Sequence, residues 1–275
     1  MPRDDALVLG GSSQVDRVET AIAGGTALAF SAPSPDRERA NEDTVALIPY
    51  GPQAAIFVVA DGAGGMPGGG QASQLAVRTL IESLAAASEK TLLLRTAILD
   101  GIEAANSAVL NLGNGSATTF TVVTLDGRVA RAYQVGDSEA FVLGQKGRIR
   151  LQTPVHSPTG FAVEAGFLNE REALQHADRH LVSNFIGNVD MRIDIGAEVT
   201  LQSHDTVVLA SDGLMDNVLV SEMVERARKG PITKAADAAL GLAQHRMGTP
   251  TSNQPSKPDD LSLILFRKPI AHRGK

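Results

Sequence analysis

Cysteine is absent from all 275 residues. Disulfides, thiolate zinc sites and a cysteine nucleophile are excluded together. Positive charge is not in excess either: 25 Lys and Arg against 31 Asp and Glu leave a net charge of -6. Such a chain offers no basic footprint to a nucleic-acid backbone or an anionic membrane. No segment approaches the roughly 20 apolar residues that cross a bilayer. The opening residues, MPRDDALVLGGSSQ, lack the apolar run of a signal peptide. The expectation is a cytoplasmic protein with neither nucleic acid nor membrane as partner.

What is present suits a folded body. A 43% hydrophobic and 20% charged composition argues against disorder, and the length supports one core. Apolar runs at 27–31, 44–48 and 55–60 read as strands, the last two largely buried. Residues 71–88 and 91–112 carry apolar residues at three- and four-residue steps and read as helices, with Gly113 at the expected C-terminal cap. Strands are expected at 118–125, 129–135, 140–143 and 149–152, with Asp126-Gly127 as a hairpin signal. A short helix is expected at 169–176, capped by Asn169 with Glu172 at the capping-box position. A strand at 207–210, helices at 221–229 and 233–247, and a strand at 261–266 complete the chain. No βαβ alternation is present. The reading is an α+β fold of antiparallel sheets covered by helices.

Asp-Gly occurs four times, at Asp61, Asp100, Asp126 and Asp212. The second lies in a helix and the third in a hairpin, which explains both. Asp61 (IFVVAD) and Asp212 (VVLASD) instead end buried strands, where a rigid element holds a side chain at a loop opening. Glu42-Asp43 and Asp259-Asp260 precede strands, and Asp137 follows one. Each alone reads as a turn or cap residue. Gathered together, they repel one another unless cations neutralise them. An all-oxygen ligand set suits Mg²⁺ or Mn²⁺, and a pair of such ions suits hydrolysis of phosphate esters. In VVADGAGGMPGGG, Gly64 and Gly65 permit a tight turn, and Gly68 to Gly70 read as a loose surface turn before a helix at Gln71.

At these residues the chain resembles the metal-dependent Ser/Thr protein phosphatases of type 2C, the PPM family, in its compact bacterial form. The stretches ANEDTVAL, FVVADGAGGMPGGGQAS, SATTFTVV, YQVGDSEAFVL, HSPTGFAVEAGFLNEREALQHADRHLVSNFIG, VVLASDGLMDNV and KPDDLSLILF carry the likeness in order. The resemblance implies a four-layer αββα sandwich, two antiparallel sheets flanked by helices, with a binuclear Mn²⁺ or Mg²⁺ site at one end. It implies that Asp61 bridges both ions, that Asp212 and Asp259 complete one site, and that Glu42 and the Gly62 carbonyl serve the other. Asp43 would bond metal waters, and Asp137 with Asp212 would offer a third metal position. Phosphoserine or phosphothreonine on a protein would be attacked by a metal-bridging hydroxide, opposite a cognate Ser/Thr kinase. Residues 1–25 would be an N-terminal extension, 26–268 one phosphatase domain with a flap at about 156–190, and 269–275 a tail.

Some positions depart from the family pattern. The place of the phosphate-binding arginine, five before Asp43, is Glu38, between Arg37 and Arg39; a one-residue slip puts Arg39 there as a catalytic candidate. Ala63 stands where many relatives have a His, and Glu139 replaces a common Arg. His156 matches the flap histidine, with a structural bonding role as the alternative, and His176 and His180 read as surface residues. The competing reading is a catalytically weakened relative acting as a phosphoprotein-binding scaffold.

Overall fold

The computed structural model describes residues 5–36, 39–63, 68–90, 92–251 and 254–269. One sheet runs in the order β1 (Leu7–Gly10), β4 (Thr44–Pro49), β5 (Ala54–Ala60), β6 (Phe120–Asp126), β7 (Val129–Val135) and β10 (Asp194–Ile195), with β11 (Val199–Thr200) also on β7. The other runs β2 (Asp16–Ile22), β3 (Gly25–Ala32), β13 (Leu261–Arg267), β12 (Thr206–Ala210), β8 (Glu139–Leu143) and β9 (Ile149–Gln152). The strand pairings within both are antiparallel.

Alternation along each central strand builds the layers, because successive side chains point to opposite faces. In β5, Ile56, Val58 and Ala60 face α1 (Gly69–Glu89) and α2 (Leu94–Leu110). Ala55, Phe57 and Val59 face the second sheet. In β13, Leu261, Leu263 and Leu265 face α5 (Asp212–Met215), α6 (Val220–Ala227) and α7 (Ile232–Gly248), while Ile264 and Phe266 turn inward. Across the middle, the Phe57 and Phe266 rings meet with centroids 5.1 Å apart. The expected four-layer sandwich is thus what forms. Both strand faces are covered, which is why these strands read as continuous apolar runs.

Ala72, Ala76, Leu80 and Leu84 line the buried stripe of α1, and Ala97, Ile98, Ile102 and Ala105 that of α2. The helices close on each other at Gly101, where a Cβ would stand 2.6 Å from Leu80 Cδ1. Gly127 turns the β6–β7 hairpin with φ +58°, as its Asp-Gly signal implies. The flap carries α3 (Pro158–Glu164) and α4 (Glu170–Gln175), the latter closed by the Asn169–Glu172 capping box.

Two expectations are corrected. Residues 5–25 are not an extension: β1 pairs with β4, and β2 pairs with β3 from Asp16 to Ile22. β2 is an edge strand with Arg17 and Glu19 turned outward, so its polar face hid it. Gly68 to Gly70 are not a loose surface turn either. Gly68 begins α1 at φ +76°, and a Cβ on the buried Gly69 would stand 2.9 Å from the Gly62 carbonyl carbon. Gly64, Gly65 and the tail 270–275 lie outside the described residues.

Candidate active site

Register alone brings the predicted carboxylates to one end of the sandwich. Thr44 pairs with Ala60, so Asp43, just before β4, and Asp61, just after β5, stand side by side. In the second sheet, Ala210 pairs with Leu263 on one side and Glu139 on the other. The same end therefore holds Asp212 after β12, Asp259 and Asp260 before β13, and Asp137 in the β7–β8 turn. Half of the cluster hangs from each sheet.

Backbone bonds fix these positions. The Asp61 N–H donates to Thr119 Oγ1 at 2.9 Å, and its carbonyl accepts from the Thr119 N–H at 2.8 Å and Thr118 Oγ1 at 2.8 Å. Asp260 accepts from the Ser34 and Glu42 amides at 2.7 and 2.8 Å. Its carboxylate is thereby committed to positioning Glu42, which separates its role from that of Asp259. The two strand-end glycines serve close approach rather than unusual φ. A Cβ on Gly62 would stand 2.5 Å from the Gly69 carbonyl, and one on Gly213 only 1.9 Å from the Asp260 carbonyl oxygen.

The electrostatics are those of an overcharged pocket. Burial, reinforced by Asp260 and Asp212, raises the Asp43 carboxyl well above its ordinary range. Burial raises Asp61 likewise, with Asp43, Asp212, Asp137 and Asp259 each adding to it. Asp137 is pushed up to about 8 by burial, then by Asp212 and Asp216. Both Asp43 carboxylate oxygens are buried without a well-formed hydrogen bond, although the Ser262 and Ser211 hydroxyls lie close enough to favour the anion. Among the described residues, two cations enter the cluster. Arg39 pairs with Glu42 and lies 4.0 Å from Asp259 and 3.7 Å from Asp260. Lys257 Nζ lies 2.5 Å from Asp212, 2.9 Å from Asp216 and 3.4 Å from Asp259.

Among the described residues, no three acidic or histidine side chains stand as a closed ligand set; several carboxylate oxygens are turned to Lys257 and Arg39 instead. The donor chemistry nevertheless fits divalent cations. It is all oxygen, it repels itself, and Asp43 has orphaned buried oxygens that a hydrated ion would satisfy.

The sequence placed Glu42, Asp43, Asp61, Gly62, Asp137, Asp212 and Asp259 here, and the structure brings them together. Arg39 reaches the cluster; Arg37 and Glu38 lie outside the described residues. Two participants were missed. Asp216 follows Asp212 by one helical turn, a spacing that places both on one face. Lys257 has no local pattern to betray it. His156 is 1% exposed. Its Nδ1 accepts from the Gly136 amide at 3.1 Å and Asn184 at 2.9 Å, and its Nε2 donates to Asp194 at 3.0 Å. It therefore ties the flap to the turn holding Asp137. His176 and His180 are exposed, beyond the end of α4.

A cavity of about 750 Å³ opens beside the cluster. Asp137, Asp212 and Asp216 line it together with Phe161, Val163 and Arg179 of the flap.

The protein phosphatase 2C family model matches residues 36–239. The serine/threonine phosphatase Stp of Listeria monocytogenes is 26% identical over 248 residues, covering 86% of this chain and 93% of that one. The PPM Ser-Thr phosphatase MsPP of Mycobacterium smegmatis, solved with cacodylate, superposes with a TM-score of 0.69 at 25% identity, over 88% of this chain and 97% of that one. The catalytic domain of the phosphatase PstP, solved with two manganese ions, superposes with a TM-score of 0.69 at 22% identity, over 92% and 99% of the two chains. With fold, carboxylate cluster and family model in agreement, the chain belongs to the protein phosphatase 2C family and is a metal-dependent protein serine/threonine phosphatase.

Proposed function

We propose that Asp61, Asp212 and Asp259, with Glu42 and the Gly62 carbonyl, hold two Mn²⁺ or Mg²⁺ ions in hydrolysis of phosphoserine and phosphothreonine on a protein substrate. The observation that carries this reading is the self-repelling carboxylate cluster, whose Asp137 and Asp212 line the cavity, with its orphaned Asp43 oxygens. When bound, such ions supply Lewis-acid activation of water and neutralise charge on the phosphoryl group.

The chain's own groups do the positioning. Thr118 and Thr119 lock the Asp61 backbone, and Asp260 locks that of Glu42. Asp43, buried behind them, would orient water by accepting its hydrogen bonds. Arg39, held at the rim by Glu42, would turn its planar fork to the substrate phosphate. His156 has both ring nitrogens engaged, and cysteine is absent. Neither therefore supplies the nucleophile or the general acid. The flap wall would receive the residues that flank the phosphorylated side chain.

On this reading the protein opposes a Ser/Thr kinase in the cytoplasm, without nucleic acid or membrane as partner. The net charge of -6 supports the first exclusion, and among the described residues no helix is long and apolar enough to cross a membrane. Recovery of the native protein in a membrane fraction would refute that placement. The site reading is tested by phosphopeptide hydrolysis at varied Mn²⁺. Asp61→Asn and Asp212→Asn are each expected to lower kcat by at least about 10²-fold. Full turnover by either variant, or by wild type in chelator, would overturn it. Tight phosphopeptide binding without turnover at saturating Mn²⁺ would instead restore the scaffold alternative.

A further inference from the structure

Lys257 is not an ordinary surface lysine. Its side chain is only 18% exposed, and its ammonium contacts Asp212, Asp216 and Asp259 at once. The backbone beneath it is clamped. Its N–H donates to Asn217 Oδ1 at 2.8 Å, and its carbonyl accepts from Asn217 Nδ2 at 2.8 Å. Asn217 is fully buried; its Nδ2 also donates to the Gly213 carbonyl at 2.8 Å, and its own carbonyl accepts from Arg246 at 2.8 Å. On the other side, Ser256 Oγ donates to the Arg246 carbonyl, and Arg179 of the flap donates to the Ser256 carbonyl. Pro258 stiffens the link to Asp259. The ammonium is aimed by a fixed backbone.

The corner it enters is bounded by Asp137 from the β7–β8 turn, Asp212 and Asp216 from α5 and its C-terminus, and Asp259 from the approach to β13. Arg179 also acts on Asp216 from the flap. This is the corner where Asp137 with Asp212 was expected to offer a third metal position. A divalent ion needs carboxylate oxygens at about 2.0–2.6 Å, and one Asp212 oxygen is already 2.5 Å from Nζ. Cation and ammonium cannot share that oxygen: Nζ faces the Oδ2 atoms of Asp212 and Asp259, so an ion on the Asp61 side would take their Oδ1 atoms, and no Asp212 oxygen would be left for an ion beside Asp137.

We infer that Lys257 is a protein-borne counter-ion that takes the place of a third divalent ion, so that the cluster of this phosphatase accepts two ions and no more. The inference rests on the two-ion reading of Asp61, Asp212 and Asp259. It makes the Asp137 corner a seat for an ammonium and leaves the two remaining ions to the Asp61 side. The flap then touches a fixed charge, through Arg179 and Ser256, rather than an exchangeable one.

Metal stoichiometry tests this without reference to activity. Full-length wild type and Lys257→Met are titrated with Mn²⁺ into the millimolar range, free ion being counted by electron paramagnetic resonance. Wild type is expected to bind two ions per chain and Lys257→Met three, with Lys257→Arg returning to two. In chelator, Lys257→Met should melt below wild type, and Mn²⁺ should recover the difference. Three ions in wild type would sink the inference whatever the variant does, as would two ions in a folded Lys257→Met. A wild type that binds no Mn²⁺ would instead bring down the two-ion reading beneath it.

Discussion

Replacing Asp137 by Asn should stabilise the metal-stripped protein, and the structure sets the size of the effect. Burial, with Asp212 and Asp216 adding to it, holds the Asp137 carboxyl at about 8 rather than its ordinary 3.8. The sign follows directly. A carboxyl raised in the folded state contributes stability that is intact below 3.8 and is lost as pH climbs toward 8, because the unfolded chain ionises first. At pH 7 the mismatch costs about 1.4 kcal/mol per pH unit above 3.8, or roughly 4 kcal/mol. Asn removes it but brings amide donors that need partners, a cost of about 1–2 kcal/mol. The net gain should be about 2–3 kcal/mol at pH 7, shrinking to nearly nothing at pH 5, where the mismatch is of the same size as the cost of the amide. Urea unfolding in chelator, followed by far-UV circular dichroism because the chain has no Trp, measures it at both pH values. An Asn variant no more stable than wild type at pH 7, or equally stabilised at pH 5, would refute the reasoning.

Two further expectations come from packing and from a partly buried ion pair. Gly213→Ala puts a methyl 1.9 Å from the Asp260 carbonyl oxygen and must part α5 from β13. Displacing Asp212 by about 1 Å should lower kcat/KM on a phosphopeptide roughly 10²-fold; an unchanged value would show that the contact relaxes freely. Arg246, 5% exposed, donates to both Glu222 oxygens at 2.7 and 2.8 Å. Arg246→Met should cost about 2 kcal/mol in urea unfolding at neutral pH, because Glu222 keeps some contact with water. The loss should narrow as pH falls below the usual carboxylate range, since it is chiefly the Arg246 bond that holds Glu222 low; a pH-independent loss would point to packing alone.

The legible parts of this protein are those where chemistry and element type coincide. Asp61 and Asp212 stood out because each interrupts an apolar run, and the run is continuous because helices cover one strand face and the other sheet covers the opposite one. Thr118 and Thr119 lay in a recognisable stretch, but their hold on the Asp61 backbone needs a contact across 57 or 58 residues. β2 was illegible for the opposite reason: an edge strand with charges outward has little apolar signal. Gly69 looked like slack chain because its reason for lacking a side chain is Gly62, which local sequence cannot show. The same holds for Lys257. Its distant partners, Asp212 and Asp216, arrive from α5 and its C-terminus, and a lysine two residues from an aspartate is unremarkable until the fold closes around it.

The Phe57–Phe266 contact has a consequence beyond cohesion. Asp43 and Asp61 ride on the sheet that carries Phe57, and Asp212 and Asp259 on the sheet that carries Phe266. The gap between the two acidic groups is therefore gauged by hydrocarbon: the thickness of the Phe57, Val59, Leu209, Ile264 and Phe266 layer sets how far apart the jaws stand. Pressure, or a methylene removed from that layer, changes the bite of the jaws without touching a ligand, so an interior mutation can masquerade as a defect in metal affinity.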